Sequence, residues 1–358
     1  MKTELFGREM QSPVIIGSGP MSYGARGMIR LMEGGAGAVV TKTITAHAAI
    51  NPNAHMVKYA SGTLLNCEKW SDYPMEQWLE REIPEAVSAG VNCIASVGHT
   101  VQDSSMCVEQ LEAEGCMAIE LVSYRPETLL PMLEDTKRRV KIPVIIKLSP
   151  NTPDFLTLAK QCEDAGADAF TAFDSIGPAM RIDIETGHPV LGQGDGCGWL
   201  TGEMIRPFII EKVCELRKHT SLPIIGLGGI SKWQDAVEIA MAGANYIGIC
   251  SAVILQGPEM IQKLDGKVDE YLAAHGHSSL KDITGMVHRF LSGDDRSGSY
   301  RIKMDPKLCT HCGKCVRICP YEARSFDEDG GMHTDMDRCR KCGLCVSACR
   351  ALRVEESD

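Results

Sequence analysis

The sequence predicts an α/β protein in two parts, a (β/α)8 TIM barrel followed by a small C-terminal unit organised by cysteines. Two observations carry that expectation. Up to about residue 255, eight short β-branched runs alternate with amphipathic helical stretches, the pattern of a parallel sheet closed inside a ring of helices. Over the last 50 residues, eight of the 16 cysteines recur at fixed spacing, which reads as metal ligation rather than as disulfides.

The strands are expected at VIIGSG (14–19), AVVTK (38–42), CIASVG (93–98), AIELVS (118–123), PVIIKLS (143–149), AFTAFDS (169–175), PIIGLGG (223–229) and YIGICSA (246–252). Between them lie stretches such as MCVEQLEAEG, ETLLPMLEDTKRRV and FLTLAKQCEDAG, apolar at helical spacing. Ala165-Gly166-Ala167-Asp168 and Ala242-Gly243-Ala244-Asn245 each close a helix and launch a strand, glycine being the residue that ends a helix in a left-handed turn. A doubly wound open sheet is the alternative arrangement of the same elements. From about residue 256 the chain turns polar and helical, then breaks at SGDDRSGS (292–299). The expected boundaries are a barrel over 1–265, a helical linker over 266–300 and a cysteine unit over 301–358.

A net charge of −10 argues against nucleic acid or an anionic membrane surface as a partner. No long uninterrupted apolar run occurs, and the opening MKTELFGREM lacks the apolar stretch of a secretory signal. A cytoplasmic location is therefore expected. The eight cysteines before the C-terminal unit stand singly, and a buried inert thiol is the plain reading of each.

The tail reads Cys309-x2-Cys312-x2-Cys315-x3-Cys319-Pro320, then Cys339-x2-Cys342-x2-Cys345-x3-Cys349. Three closely spaced thiolates completed by a fourth from the other run form the ligand pattern of two [4Fe-4S] clusters in a bacterial-type ferredoxin domain. Cys309, Cys312, Cys315 and Cys349 are expected to hold one cluster, and Cys339, Cys342, Cys345 and Cys319 the other. Zinc is the alternative metal. Two adjacent clusters move electrons singly between partners, so a redox cofactor is expected in the barrel.

In such barrels chemistry sits at the C-terminal ends of the strands, and phosphate often binds at the loops after strands seven and eight. Those loops read Gly226-Leu227-Gly228-Gly229-Ile230-Ser231 and Ile249-Cys250-Ser251-Ala252, where glycines let backbone N–H groups approach an anion. Gly17-Ser18-Gly19-Pro20 follows the first strand, and Lys42 and Lys147 charge the ends of otherwise apolar strands. A lysine is rarely buried without an anionic partner, and the edge of a reduced flavin would provide one.

The run GSGPMSYGARGMIRLMEGGAGAVVTKTIT, then IKLSPN, TAFDS, TGEMIRP, GLGGI and CSA, resembles the FMN barrel of the dihydroorotate dehydrogenase superfamily. A barrel followed by two clusters is most similar to the C-terminal half of dihydropyrimidine dehydrogenase and its bacterial catalytic subunit. The resemblance implies FMN held by Ser18, Gly19, Thr41, Lys42, Lys147, Gly202, Gly228, Gly229 and Ser251. It implies an oxidoreductase acting on a CH–CH bond, and a dimer by analogy. No G-x-G-x-x-G nucleotide fingerprint followed by an acidic residue appears. A separate electron protein is therefore implied: an NAD(P)H-dependent flavoprotein subunit, a ferredoxin or a flavodoxin.

The substrate end departs from the family. Its strand-four motif E-L-N-x-S-C-P reads Glu120-Leu121-Val122-Ser123-Tyr124-Arg125-Pro126 here. The usual asparagine is Val122, and the usual proton-exchanging cysteine falls at Arg125. At strand six, T-A-T-N-T becomes Thr171-Ala172-Phe173-Asp174-Ser175, while Asn66 keeps a family asparagine. Amides suit a pyrimidine edge because they both donate and accept, and each lost substrate bond costs about 1–3 kcal/mol. The expected substrate is thus a small, activated alkene with a carboxylate that Arg125 clamps, pyrimidine or orotate being the alternative. Asp174 is expected to bind a cation or to pair with Arg125, and Tyr124 to donate a proton, with Cys67, His99 and Cys197 as weaker candidates. A barrel that only transfers electrons, or a phosphate-binding lyase without flavin, are readings from other classes.

Overall fold

The computed structural model describes residues 1–291, 293 and 300–356. The chain divides into two compact units, Met1–Phe290 and Leu291–Asp358. In the first, all eight expected strands form: β1 (Val14–Ile16), β2 (Ala38–Val40), β3 (Cys93–Gly98), β4 (Ala118–Val122), β5 (Val144–Leu148), β6 (Ala169–Ala172), β7 (Ile224–Leu227) and β8 (Tyr246–Ile249). They pair in parallel in chain order, and β8 closes on β1. The sheet is a closed barrel, so the doubly wound alternative falls.

Strand side chains alternate between two faces, and the sequence respects that period. Ile94, Ala118, Ile145, Ala169 and Ile225 share one apolar cluster inside the barrel. Their neighbours Cys93, Ile119, Val144, Phe170 and Ile224 pack outward against the helices. An N-terminal hairpin, Thr3–Leu5 with Arg8–Met10, adds Leu5 and Met10 to the inner cluster. The N-terminal mouth is thereby filled with hydrocarbon. Two residues further along, four of these strands turn polar on the inner face, with Ser96, Glu120, Lys147 and Thr171 all buried.

Two long insertions, after β2 and after β6, supply a four-stranded antiparallel sheet. Its order is Ile176–Ala179, Gly198–Gly202, Thr63–Asn66, Met56–Ala60. The two AGA(D/N) turns repeat one device: Gly166 and Gly243 take positive φ, and the next polar residue ties down a neighbouring strand. Asp168 accepts from the Val144 N–H (2.7 Å) and Asn245 from the Ile224 N–H (2.9 Å).

The boundary expected at 265 is corrected. It cuts the helix Glu259–Ala274, whose Leu264, Val268 and Leu272 are buried against the barrel. Beyond it Leu280 and Ile283 are also buried, and the Gly285 N–H donates to Ala240 O (3.0 Å). Residues 266–290 therefore belong to the barrel unit. The break at 292–299 lies, apart from residue 293, outside the described residues.

In the second unit, strand Tyr300–Met304 pairs with Leu352–Glu356, and Arg324–Phe326 with Met332–Thr334, both antiparallel. Among the described residues no helix is long and apolar enough to cross a membrane.

Candidate active site

The C-terminal ends of the barrel strands surround one cavity of about 280 Å³. Ser18 and Gly19 reach it from beyond β1, and Lys42 and Thr43 from beyond β2. Lys147 enters from β5, Asp174 from beyond β6, Gly228 and Gly229 from beyond β7, and Cys250 and Ser251 from beyond β8. Met56, Leu64, Asn66, Trp199 and Thr201 of the four-stranded sheet border the same space.

Beneath it a chain of hydroxyls runs across the barrel. Ser18 Oγ and Thr43 Oγ1 lie 3.1 Å apart, and Thr43 Oγ1 and Ser96 Oγ 3.0 Å apart. Ser96 Oγ donates to Glu120 Oε1 (3.2 Å), and Thr171 Oγ1 donates to Glu120 Oε2 (2.7 Å). Glu120 is 1% exposed. A buried carboxylate needs such donors, since desolvation without them is costly.

Both buried lysines have carboxylate partners from this chain, where a flavin edge had been the expected one. Lys42 Nζ lies 2.9 Å from Glu68 Oε2, and Lys147 Nζ 3.5 Å from Asp174 Oδ2. Burial pushes the Lys147 ammonium down, but Asp174 and Glu120 outweigh it, so its pKa is raised. Tyr124 is half exposed, and its hydroxyl donates to Asp174 Oδ2 (3.2 Å). Burial, then the Asp174 charge, hold the phenol well above its ordinary pKa. Trp70 stacks on Tyr124 with ring centroids 5.7 Å apart and lies 5.3 Å from the His99 ring, making an aromatic wall on that side. Burial pushes the Cys250 thiol up to about 11 against the pull of Lys147.

Several expected site residues lie elsewhere. Arg125 is exposed and does not border the cavity. It is the N-cap of the helix Pro126–Arg139, so the backbone has already turned away from the strand axis. The Arg125–Asp174 pair does not form; Asp174 faces Lys147 and Tyr124 instead. Thr41 is fully buried, and its Oγ1 accepts from the Ser96 N–H (2.9 Å), which makes it a barrel brace. Gly202 also lies off the cavity: with φ +100°, a Cβ there would sit 2.1 Å from Gly62 O. Val122 and Cys67 are buried off the cavity, Cys67 beside Leu65 and Leu191. Sequence reasoning missed Glu68, Trp70 and the Ser96–Glu120–Thr171 network. Glu120, Ser96 and Thr171 carried a signal, polar residues at inward positions of apolar strands. Glu68 and Trp70 come from an insertion, and no local pattern marks them.

In the second unit, Cys319, Cys339, Cys342 and Cys345 border one small cavity, the four thiols expected to share a cluster. Burial pushes the Cys315 thiol up, Arg324 pulls it down and Cys349 pushes it up again, so Cys349 stands near the first cysteine run. The fourth ligand crossing between runs is thus compatible with this packing. Among the described residues, no three His, Cys, Asp or Glu side chains converge to hold a single ion.

A family model for dihydroorotate dehydrogenase matches residues 1–272, and one for a 4Fe-4S dicluster domain matches residues 294–351. The chain belongs to the dihydroorotate dehydrogenase family. It is accordingly an oxidoreductase of the CH–CH class. It is similar to the catalytic subunit of dihydroorotate dehydrogenase B (NAD(+)) from Methanothermobacter thermautotrophicus, 30% identical over 303 residues that span 80% of this chain and 98% of that one. The subunit of the same name from Thermococcus kodakarensis is 32% identical over 306 residues, spanning 80% and 98%. That from Methanosarcina mazei is 31% identical over 303 residues, spanning 80% and 95%. These dihydroorotate dehydrogenase relatives are matched almost end to end, while a fifth of this chain lies outside the match.

The flavin of the family fits the residues present. Gly228 and Gly229 have φ of +140° and +80°, and their N–H groups donate to no protein acceptor among the described residues. The Ser251 N–H is likewise free of a protein acceptor there. Three free donors at the β7 and β8 loops suit a phosphate.

Proposed function

We propose that the chain is the catalytic subunit of an oxidoreductase that interconverts a CH–CH bond and a C=C bond in a small ring acid, with dihydroorotate and orotate as the first pair to test. The observation that carries this is the cavity, where two buried lysines, Asn66 and the Tyr124–Asp174 pair meet at the strand ends of a family barrel. The activity for which the relatives are named supports the substrate pair.

FMN would be held by Ser18, Gly19, Lys42, Lys147, Gly228, Gly229 and Ser251, and when bound it supplies or accepts the hydride. The chain's residues do the rest. Tyr124, kept protonated by Asp174, donates a proton to the carbon that does not take the hydride. Asn66 offers a donor and an acceptor to the ring edge. Trp70 and the Tyr124 ring wall that side of the cavity. In the second unit, Cys309, Cys312, Cys315 and Cys349 would hold one [4Fe-4S] cluster, and Cys319, Cys339, Cys342 and Cys345 a second. These would link the barrel to a separate electron protein, in keeping with relatives that are themselves named as subunits.

A second substrate reading rests on Asp174 and Glu68. Both accept hydrogen bonds and neither donates when ionised, which favours an unsaturated substrate that presents donors or a cation. Anaerobic photoreduction followed by stopped-flow mixing with orotate, uracil, thymine and unsaturated acids separates the readings. Fast reoxidation in the flavin band by orotate alone supports the first. Reoxidation only by a non-pyrimidine alkene moves the assignment to the second, and silence across the panel leaves an electron-transfer role.

A further inference from the structure

We propose that Arg324 is a built-in charge partner for one of the two clusters, raising the reduction potential of the cluster held by Cys319, Cys339, Cys342 and Cys345 above that of its neighbour. The inference rests on the two-cluster reading above.

The second unit is an internal repeat. Cys309, Cys312, Cys315 and Cys319 recur as Cys339, Cys342, Cys345 and Cys349. Left-handed Gly313 and Gly343 precede the matching short helices Lys314–Arg317 and Leu344–Ser347. Two crossed bonds fix the register beyond the cysteines: the Asp305 N–H donates to Ala351 O (2.8 Å), and the Asp335 N–H to Ala323 O (2.9 Å). Ala323 and Ala351 are therefore counterparts. The residues after them, Arg324 and Leu352, each open a strand, Arg324–Phe326 and Leu352–Glu356. Both are 5% exposed. One half of the repeat carries a guanidinium where the other carries a hydrocarbon.

Arginine stays protonated in proteins, and a buried cation is rarely left unpaired. Yet Arg324 Nη2 is buried without a hydrogen-bond partner, and no carboxylate pairs with the side chain among the described residues. Arg324 instead borders the cavity ringed by Cys319, Cys339, Cys342 and Cys345. Among the described residues the polypeptide offers it no anionic partner, and the cluster is the anion that this cavity would bring beside it. A [4Fe-4S] core with four thiolates is net negative, and gains one further negative charge on reduction. A fixed cation with N–H donors beside its sulfurs stabilises the more negative state more strongly, and so raises the potential. At the matching position Leu352 offers neither charge nor donor, while the Arg324 charge also reaches Cys315 of the other set.

The test is an EPR-monitored redox titration of the full chain with its clusters, with iron and acid-labile sulfide measured in parallel. In Arg324→Leu, which copies Leu352, one midpoint falls by at least a tenfold change in its one-electron equilibrium, about 59 mV, and the other falls by less. Arg324→Lys keeps the charge and holds the midpoint close to that of the parent. If Arg324→Leu loses iron, the comparison passes to Arg324→Gln against Arg324→Lys, where only the neutral variant must fall. Unchanged midpoints in an iron-replete neutral variant overturn the inference. Iron and sulfide for fewer than two clusters in the parent protein overturn the two-cluster reading itself.

Discussion

At Asp174 a single carboxylate oxygen meets both the Tyr124 hydroxyl (3.2 Å) and the Lys147 ammonium (3.5 Å). The negative charge disfavours the phenolate, so Tyr124 remains a proton donor beyond its ordinary 10.0. Replacing Asp174 by Asn removes that charge, and the phenol pKa falls. The alkaline limb of the reductive pH–rate profile should therefore move to lower pH in Asp174→Asn. Tyr124→Phe should cut turnover by on the order of 100-fold with flavin content unchanged. Full turnover in Tyr124→Phe would remove the phenol from the chemistry. Arg125 stands one position further along the chain and is exposed. Arg125→Ala should leave kcat and KM within about twofold, as for an ordinary surface substitution; a large rise in KM would return it to the substrate site.

At the scale of elements, Gly202 shows how a family position can be structural. It ends the strand Gly198–Gly202 with φ +100°, and a Cβ would overlap Gly62 O in the turn before the strand Thr63–Asn66. Gly202→Ala should cost about 1–3 kcal/mol of stability, read as a lowered Tm, while flavin per folded molecule stays constant. Flavin loss without a Tm change would mean that Gly202 touches the cofactor. The barrel strands were legible because alternation is local: Ala118 and Glu120 face inward while Ile119 and Leu121 face the helices. Lys42, Lys147, Gly228 and Gly229 were legible for the same reason, since each sits at a strand end. Glu68 and Trp70 were not, because their insertion reaches the cavity only through tertiary packing. The boundary at 265 failed on a helix with a polar outer face, although Leu264, Val268 and Leu272 stand at helical spacing. At Arg125 the sequence motif aligned without a gap, but the backbone turns into a helix there and carries the side chain off the site.

On the scale of the whole molecule, the two units are separable in principle. The barrel unit ends at Phe290 with its own core, closed at one mouth by the N-terminal hairpin. The relatives, matched over 98% of their own length by 80% of this chain, show that barrels of this family are encoded without that extra fifth. The C-terminal unit has only a small core around Cys315, Cys345 and Leu352, as expected of a domain that depends on bound metal for its stability. A chain of residues 1–290 should therefore fold, bind flavin and reduce substrate when a small-molecule dye donates the electrons. If electrons pass through the clusters as proposed, the same truncation should lose turnover with a protein electron donor. Full-length protein stripped of iron should behave like the truncation in both assays. If truncated barrel accepts electrons from the protein donor at the parent rate, the clusters do not lie on the route to the flavin, and their role must be sought in the stability of the C-terminal unit.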